Sequence, residues 1–332
     1  MSNTLSWDPT ATTRATPPPR AGAWARFSRN RAAVAGAWLL GALVLLTLLG
    51  PALMTWKPDD ISDLQFTPPD WHHWFGTDVH GRDLLSRVLA GARVSLLVGV
   101  VGAFVSLVIG VTWGAVAGYA GGRWDSVLMR TVDILYALPT IVFVIVLVTL
   151  LNGLLARWQA GGMSGQHADL ARMLGLFAGL GAVSWLTMAR IVRGQVLSLR
   201  ARPFVEASRA LGASPARIIF RHILPHTYGI VIVYLALTLP AIILYESFLS
   251  FLGLGIQPPQ ASLGSLLAEG ASQLNPLRVY WWVVVFPAGT MALTLLALNF
   301  VGDGLRDALE PRNPSRREVV GGAARRPTER LS

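Results

Sequence analysis

Histidine and aspartate side chains are concentrated in one short stretch of this 332-residue sequence, and they could in principle bind a metal ion. The stretch contains His72, His73, Asp78, His80 and Asp83. Imidazole and carboxylate groups are metal ligands, but metal sites have regular ligand spacings and this stretch has none. Histidines in loops more often cap turns or form local hydrogen bonds. We therefore predict local hydrogen bonding here, with no metal or other cofactor bound by this chain.

No motif for catalysis or nucleotide binding occurs elsewhere. Cysteine is absent, which excludes disulfides and thiol catalysis, and the single lysine, Lys57, adjoins no glycine-rich turn. A P-loop requires the pattern GxxxxGK[ST], and the HExxH and GxSxG motifs are also missing. We expect a chain that is not an enzyme. If ATP drives its function, other subunits must bind the ATP and Mg²⁺.

The composition is that of an integral membrane protein. Hydrophobic residues make up 53% of the chain and charged residues only 14%, whereas about a quarter of the residues in soluble domains are charged. The net charge of +10 is shared among several loops. It forms no single patch, and this argues against a nucleic-acid partner and for membrane lipid as the main surroundings.

Six apolar runs are long enough to cross a bilayer, which predicts an all-α fold with six transmembrane helices. The first run is too long for a signal peptide and lacks a cleavage site at its end, so we expect it to remain as an anchor. Residues 57–93 and the polar residues 156–169 form loops on one side of the membrane in this prediction. The runs cover residues 32–56, 94–120, 134–155, 173–189, about 229–254, and 279–301.

The distribution of basic residues predicts the orientation. With six spans, 21 of the 28 basic residues fall on the side that carries both termini and residues 190–227. Basic residues favour the cytoplasmic side, so we expect both termini to be cytoplasmic. The predicted organisation is a tail (1–31), a first helix with an outer loop (32–93), a transmembrane core (94–303) and a basic tail (304–332).

Residues 205–225 lie between two membrane spans, but their pattern predicts a first short helix followed by a bend. Phe204, Ala207 and Leu211 fall on one face at helical spacing, and Glu206 points elsewhere. Gly212 permits the left-handed turn that ends a helix.

A second short helix is predicted directly after the bend. Ser214 can cap it, and Pro215 suits its first position. Ile218 and Ile223 continue an apolar face, and Pro225 is expected to end the helix. Such an element suits docking into a groove on another protein. The alternative is a basic cytoplasmic loop that only fixes the topology.

The same segment resembles the EAA loop of bacterial ABC importer permeases. The resemblance rests on Glu206-Ala207-Ser208, on Gly212 six residues after the glutamate, and on Leu224-Pro225 at the end. Ser208 replaces the second alanine of that motif, and His222 stands where many members have isoleucine. The resemblance implies that the segment is a coupling helix that inserts into an ATPase subunit. The residues implied in coupling are Phe204, Glu206, Ala207, Ser208, Leu211, Gly212, Ser214, Pro215, Ile218, Leu224 and Pro225.

Further segments resemble the dipeptide/oligopeptide/nickel branch of these permeases, and most closely the OppC-type oligopeptide permeases. They are FGTD at 75–78, GRD at 81–83, SR at 86–87, GAR at 91–93, ARIVRGQVLSLR at 189–200, ESFLSFLGLG at 246–255 and NFVGDGLRDALEPR at 299–312. The resemblance implies a type I ABC importer transmembrane fold in the bacterial inner membrane. The implied function is to form half of a translocation pathway for oligopeptides or dipeptides.

The resemblance also implies partners: a paralogous permease subunit, two ATPase subunits that bind ATP and Mg²⁺, and an extracytoplasmic substrate-binding protein. Nickel or glutathione are alternative cargoes within the branch. A secondary transporter is an alternative of another class, but it would normally show internal repeats and ionisable residues in the middle of the membrane. Only Glu246 comes near this requirement. A membrane scaffold protein is a further alternative.

Three residues within the spans are candidates for contact with the pathway or a partner. Glu246 either faces the pathway or a partner subunit, or pairs with an outer-loop arginine or water near the membrane surface. Pro139 and Pro240 predict kinks and could form a moving gate. For Asp133 we expect a pair with Arg130 or with a neighbouring chain.

Overall fold

Helices form nearly all regular structure in this chain. The structure, a computed structural model, describes residues 22–160, 165–256, 260–274 and 277–309. Most of both predicted tails, and residues 161–164 of the predicted polar loop, lie outside the described residues. Within the described part there is no β-strand; Thr77 and Asp83 form an isolated bridge. The helices are α1 Ala23–Phe27, α2 Arg31–Leu53, α3 Leu84–Ala120, α4 Gly122–Ala137, α5 Thr140–Ala160, α6 Gly165–Arg200, α7 Pro203–Ala210, α8 Pro215–Ile218, α9 Leu224–Phe251, α10 Leu263–Ser272 and α11 Trp282–Leu309.

The structure has the six predicted spans when the bent pair of helices α4 and α5 is counted as one span. Five stretches of the described residues are long and apolar enough to cross a membrane, namely α2, α3, residues 175–200 of α6, the continuous stretch 215–251, and α11. Helices α4 and α5 qualify only as a pair, and they meet at an angle of 94°. The break lies at Leu138 and Pro139, where the sequence predicted an interruption.

Two helices are longer than the apolar runs that predicted them. Helix α3 begins at Leu84 instead of residue 94, because Asp83 caps it by accepting a hydrogen bond from the Ser86 N–H. Helix α6 begins at Gly165 and α5 extends to Ala160, so most of the predicted polar loop 156–169 is helical. Polar residues outside the lipid do not interrupt helical hydrogen bonding, and an apolar run marks only the part of a helix that lies in the membrane.

Three glycines at four-residue spacing, Gly110, Gly114 and Gly118, allow α3 and α6 to pack backbone to backbone. A Cβ atom added to Gly110 would lie 2.6 Å from Met188 Cβ, and one added to Gly118 would lie 2.9 Å from the Arg193 carbonyl oxygen. Any side chain at these glycines would therefore force the two helices apart.

Local hydrogen bonds hold the loop between α2 and α3, as predicted, and the imidazole of His73 forms one of them. His73 Nδ1 lies 2.9 Å from Asp83 Oδ1, and the backbone N–H groups of His72 and His73 donate to Asp70. These backbone bonds, chiefly the one from His73, hold the pKa of Asp70 below its usual value. Among the described residues, no three or more His, Asp or Glu side chains could together hold a metal ion.

Helix α10, which the sequence analysis missed, packs at this same end of the bundle. Ser262 and Ser265 form a reciprocal capping box at its start. Glu269 on α10 accepts hydrogen bonds from Arg87 on α3, at 2.6 and 3.2 Å. The S-x-x-S pattern could have indicated the start of this helix. It lies just after the apolar run that predicted the fifth span, and the sequence analysis did not consider a separate helix there.

Candidate functional site

Helix α7 ends in a Schellman motif whose geometry requires glycine. The Gly212 N–H donates to the Arg209 carbonyl at 3.0 Å, and the Ala213 N–H donates to the Ser208 carbonyl at 3.1 Å. This pattern requires left-handed backbone at the first of these two donors, and Gly212 has a φ of +76°. The bend predicted from the sequence is therefore present, at the predicted residue.

Helices α7 and α8, with the bend at Gly212 between them, form one element. Its second helix continues into the membrane, and the prediction that Pro225 ends it is wrong. Ser214 caps α8 by accepting from the Arg217 N–H at 3.4 Å, with Pro215 at the first position. Residues 219–223 then form a π-helical turn, and the Leu224 N–H donates to the Ile219 carbonyl. The wider turn alters the local hydrogen-bond pattern, so the missing N–H of Pro225 does not break the helix.

Three apolar side chains anchor the element to the bundle. Val205, Ile218 and Ile223 have no exposed surface, and they pack in one cluster with Val192 and Val196 of α6. The sequence analysis placed Ile218 and Ile223 on an apolar face suited to docking on another protein, whereas the structure buries both within this chain's own bundle. It did not single out Val205. A helix this short contacts the bundle through a single turn, and the sequence pattern did not show which turn that would be.

The opposite face of the element is exposed and partly apolar. Leu211 is 87% exposed, Phe220 65% and Phe204 37%. The ring of Phe204 stacks on His226 with centroids 5.0 Å apart, so its orientation is restrained. The Ser208 hydroxyl donates to the Phe204 carbonyl at 2.8 Å. Glu206, Ala207, Gly212, Ser214, Pro215 and Pro225 are also exposed, and Leu224 is half-buried.

Ion pairs fix α6, which leads into the element, to the helices beside it. Arg193 donates two hydrogen bonds to Asp125 on α4, at 2.5 and 2.7 Å. Arg200, the last residue of α6, donates to the carbonyl oxygens of Gly118 and Tyr119 at the end of α3. The element therefore follows an end of α6 that is held in place by side-chain contacts to α3 and α4.

Asp133 pairs with a residue that the sequence analysis did not consider. Its carboxylate accepts from Arg190 of α6 at 2.8 Å, and the Arg190 guanidinium lies 4.1 Å from the ring centre of Tyr136. The expected pair with Arg130 is not formed, because α4 packs along α6 and presents Asp133 to that helix.

Glu246 has surroundings that differ from those weighed from the sequence. Its side chain has no exposed surface in this chain, so it does not reach a cavity, and among the described residues no arginine forms an ion pair with it. Hydroxyl groups surround the carboxylate instead: Ser250 at 2.6 Å, Ser95 at 3.3 Å and Ser247 at 3.5 Å. The Ser95 hydroxyl also accepts from the Leu263 N–H at the start of α10. The carboxylate therefore links α3, α9 and the first turn of α10.

Glu246→Ala should destabilise this junction more than Glu246→Gln. Alanine leaves several buried hydroxyls without their acceptor, at a cost of about 1–3 kcal/mol. Glutamine keeps a carbonyl oxygen for Ser250, the shortest of the contacts. Thermal unfolding of the purified protein measures the difference. Equal midpoints for the two variants would show that the serine contacts do not stabilise the fold.

The two prolines within predicted spans have different local roles. Pro139 precedes α5 at the 94° break, and its carbonyl oxygen accepts from the Phe143 N–H at 3.1 Å. Pro240 is buried inside α9, which continues past it to Phe251.

Family models match both parts of the chain. Residues 110–313, which include the whole element, match the model described as "Binding-protein-dependent transport system inner membrane component". Residues 19–69 match the model of the N-terminal TM domain of oligopeptide transport permease C. The chain belongs to this family of inner-membrane transport permeases.

Relatives of the permease place it in the branch expected from its motifs. The oligopeptide transport system permease protein OppC of Escherichia coli (strain K12) is 48% identical over 291 residues, which cover 87% of this chain and 89% of that protein. The dipeptide transport system permease protein DppC of Bacillus subtilis (strain 168) is 42% identical over 294 residues, covering 87% and 85%. The resemblance to OppC-type permeases is thereby confirmed.

A solved structure shows the fold of the permease. A chain of the MetNI methionine ABC transporter in an inward-facing conformation superposes with a TM-score of 0.51 at 19% identity. The match covers 68% of this permease and 97% of that chain. The all-helical type I importer fold is therefore the one that the sequence predicted. The family model and the relatives likewise confirm the predicted multi-pass inner-membrane location.

Proposed function

We propose that this permease forms half of the translocation pathway of an ATP-driven importer for oligopeptides or dipeptides. The observation that carries the proposal is the exposed element of α7 and α8, which connects two membrane helices and whose sequence resembles the EAA coupling loop of ABC importer permeases. The names of the relatives support the choice of peptide cargo over nickel or glutathione.

The proposed partners are those that membership of this permease family implies. The sequence contains no P-loop, so ATP and Mg²⁺ are bound in two separate ATPase subunits. A paralogous permease supplies the other half of the pathway, and an extracytoplasmic binding protein delivers the peptide. The permease itself catalyses no reaction in this proposal, and it works by favouring one of two conformations when its partners bind.

Force is transmitted through the anchored side of the element. The exposed face, with Phe204, Leu211 and Phe220, contacts the ATPase. The buried face, with Val205 and Ile218, lies in the cluster that includes α6 and α9. Because residues 215–251 form one uninterrupted helical stretch, displacement of the docked end moves α9 directly. Closure of the ATPases thereby changes the side on which the pathway opens.

Glu206→Lys should weaken recovery of the ATPase subunits with the permease. Glu206 is exposed and follows the buried Val205 in α7, so reversing its charge alters the exposed surface and leaves the anchor intact. Co-purification through a tag on the permease measures the loss, which we expect to reach about ten-fold in yield, as for loss of a charge pair at an interface. Asp59→Lys, at the opposite end of the bundle, is the control. Equal recovery from both variants would place the ATPase contact elsewhere.

Transport measurements separate the proposal from its alternatives. Uptake of labelled peptide into vesicles should require internal ATP and persist when the proton gradient is collapsed. A secondary transporter would show the opposite dependence. Peptide-dependent growth that survives deletion of the permease would argue for a different cargo, and binding of peptides, nickel or glutathione to the cognate binding protein would identify it.

A further inference from the structure

A hydroxyl-lined cavity lies between α6, α9 and the break between α4 and α5. It has a volume of about 260 Å³, slightly below the range of about 300–1,000 Å³ that is typical of ligand sites. Tyr136, Tyr234 and Tyr245 line it together with threonine and serine side chains. Tyr234 and Tyr245 lie ten and 21 residues beyond Leu224, the start of α9, which corresponds to roughly 15 and 30 Å along the helix. The cavity is therefore at membrane depth.

Five of the seven hydroxyl groups in this lining lack partners within the described residues, while those of Ser184 and Thr238 donate to backbone carbonyls of their own helices. None of the three tyrosine hydroxyls forms a hydrogen bond there, and neither does the hydroxyl of Thr140 or Thr187. Polar side chains at membrane depth face a bundle interior or a water-filled path, because lipid cannot satisfy them. Unsatisfied hydroxyls that converge on one cavity therefore indicate an aqueous path.

The lining carries no formal charge. No Asp, Glu, Lys, Arg or His side chain contributes to it. Arg190 covers one face of the Tyr136 ring, but its charge is compensated by Asp133. Glu246, next to Tyr245 in the chain, is enclosed by serines and does not reach the cavity.

We infer that this cavity is the permease's half of the cargo-binding path and that it binds the amide backbone of peptides. This inference rests on the proposed function and adds to it the residues and the class of ligand. Hydroxyl groups both donate and accept, so they can pair with the N–H and C=O groups that every peptide repeats. An uncharged lining holds these groups without selecting among cargo side chains.

The same lining is unsuited to the alternative cargoes. Nickel prefers imidazole and other nitrogen or oxygen ligands with strong donor character, and the cavity contains neither histidine nor carboxylate. Glutathione carries a net negative charge, and anion sites use arginine, lysine or helix N-termini. The cavity has no such cationic side chain.

The location of the cavity couples it to the docking element. Tyr234 packs against the cluster that contains Val205, Ile218 and Ile223. Movement of the element would therefore displace one wall of the cavity, and the wall at Thr140 begins just after the 94° break. The resulting change in the distance between the cavity walls would lead to binding and release of cargo.

The absence of cysteine makes accessibility directly testable in the full transporter. Thr187→Cys and Thr238→Cys should react with a small charged methanethiosulfonate reagent at least ten times faster than Ser106→Cys, because thiolates form in water. Ser106 is a matched control on α3 with no exposed surface. Tetra-alanine should slow the labelling of the two cavity cysteines. Reaction no faster than that of Ser106→Cys would overturn the inference and show that lipid or the partner permease fills the cavity.

Transport by hydroxyl-deletion and charge variants tests the ligand class. Tyr234→Phe and Tyr245→Phe should each reduce uptake of tetra-alanine about three- to ten-fold, as expected for loss of one hydrogen bond. Thr187→Asp should lower the ratio of Ala-Glu-Ala to Ala-Lys-Ala uptake several-fold relative to the unmodified transporter. An unchanged ratio and unchanged uptake would overturn the inference. If the unmodified transporter moves no peptide at all, the proposed function fails instead, and the labelling result still reports on the cavity.

Discussion

Gly212→Val should abolish peptide uptake while leaving membrane insertion and assembly of the bundle intact. Gly212 has a φ of +76° and ends α7 within a Schellman motif. Left-handed backbone costs an L-residue about 1–2 kcal/mol, and β-branched residues adopt it least readily. No atom lies within 4 Å of the Cβ position, so the cost comes from the backbone alone. The chain relieves it by reorienting α7, which displaces the exposed face that contacts the ATPase in our proposal.

A graded series at the same position tests this mechanism. Asparagine tolerates the left-handed conformation, so Gly212→Asn should retain most uptake, Gly212→Ala less, and Gly212→Val none. ATP hydrolysis by the assembled transporter, measured alongside uptake, should lose its dependence on cargo in the same order. Gly41→Val is the control, because Gly41 lies on α2 with open space around it and an ordinary φ. Full uptake by the valine variant at residue 212 would remove the coupling role of the element.

Asp78→Ala should cause the largest loss of stability at the other end of the bundle. Asp78 accepts from Arg82 and from Arg87, each at 2.7 Å, and the Arg87 side chain is only 3% exposed. Removing one partner of a buried ion pair costs about 3–5 kcal/mol. Glu269 still contacts Arg87 at 2.6 Å, so we expect the lower end, about 3 kcal/mol. Unfolding of the purified protein in denaturant measures the loss.

The matched control is an ion pair with similar geometry and far greater exposure. Asp133 and Arg190 are 2.8 Å apart, but their side chains are 60% and 40% exposed. Because water screens such pairs, Asp133→Ala should cost at most about 1 kcal/mol. If both aspartate variants lose the same stability, burial does not determine the strength of the network around Arg87. The buried network also connects α3 to α10, so loss of Asp78 should loosen the packing of α10.

Several properties of this permease were determined by the sequence alone. Long uncharged runs indicated the membrane helices, because a lipid environment excludes charged residues over a fixed length of helix. The Gly212 bend and the Ser214 cap followed from backbone requirements that only a few residue types satisfy. The family followed from motifs that span most of the core. These signals are local, so each can be recognised without knowledge of the rest of the fold.

Other properties depended on which helices meet. The sequence could not show that Asp133 pairs with Arg190, that serines of α3 and α9 enclose Glu246, or that a π turn carries the chain through Pro225 into α9. The starts of α3 and α6 were placed too late in the chain, because composition reports the lipid boundary and not the end of helical hydrogen bonding. The hydroxyl-lined cavity unites residues separated by more than a hundred positions. Only tertiary packing brings these groups together, because side-chain partners are determined by distance in space and sequence patterns report neighbours along a single helix.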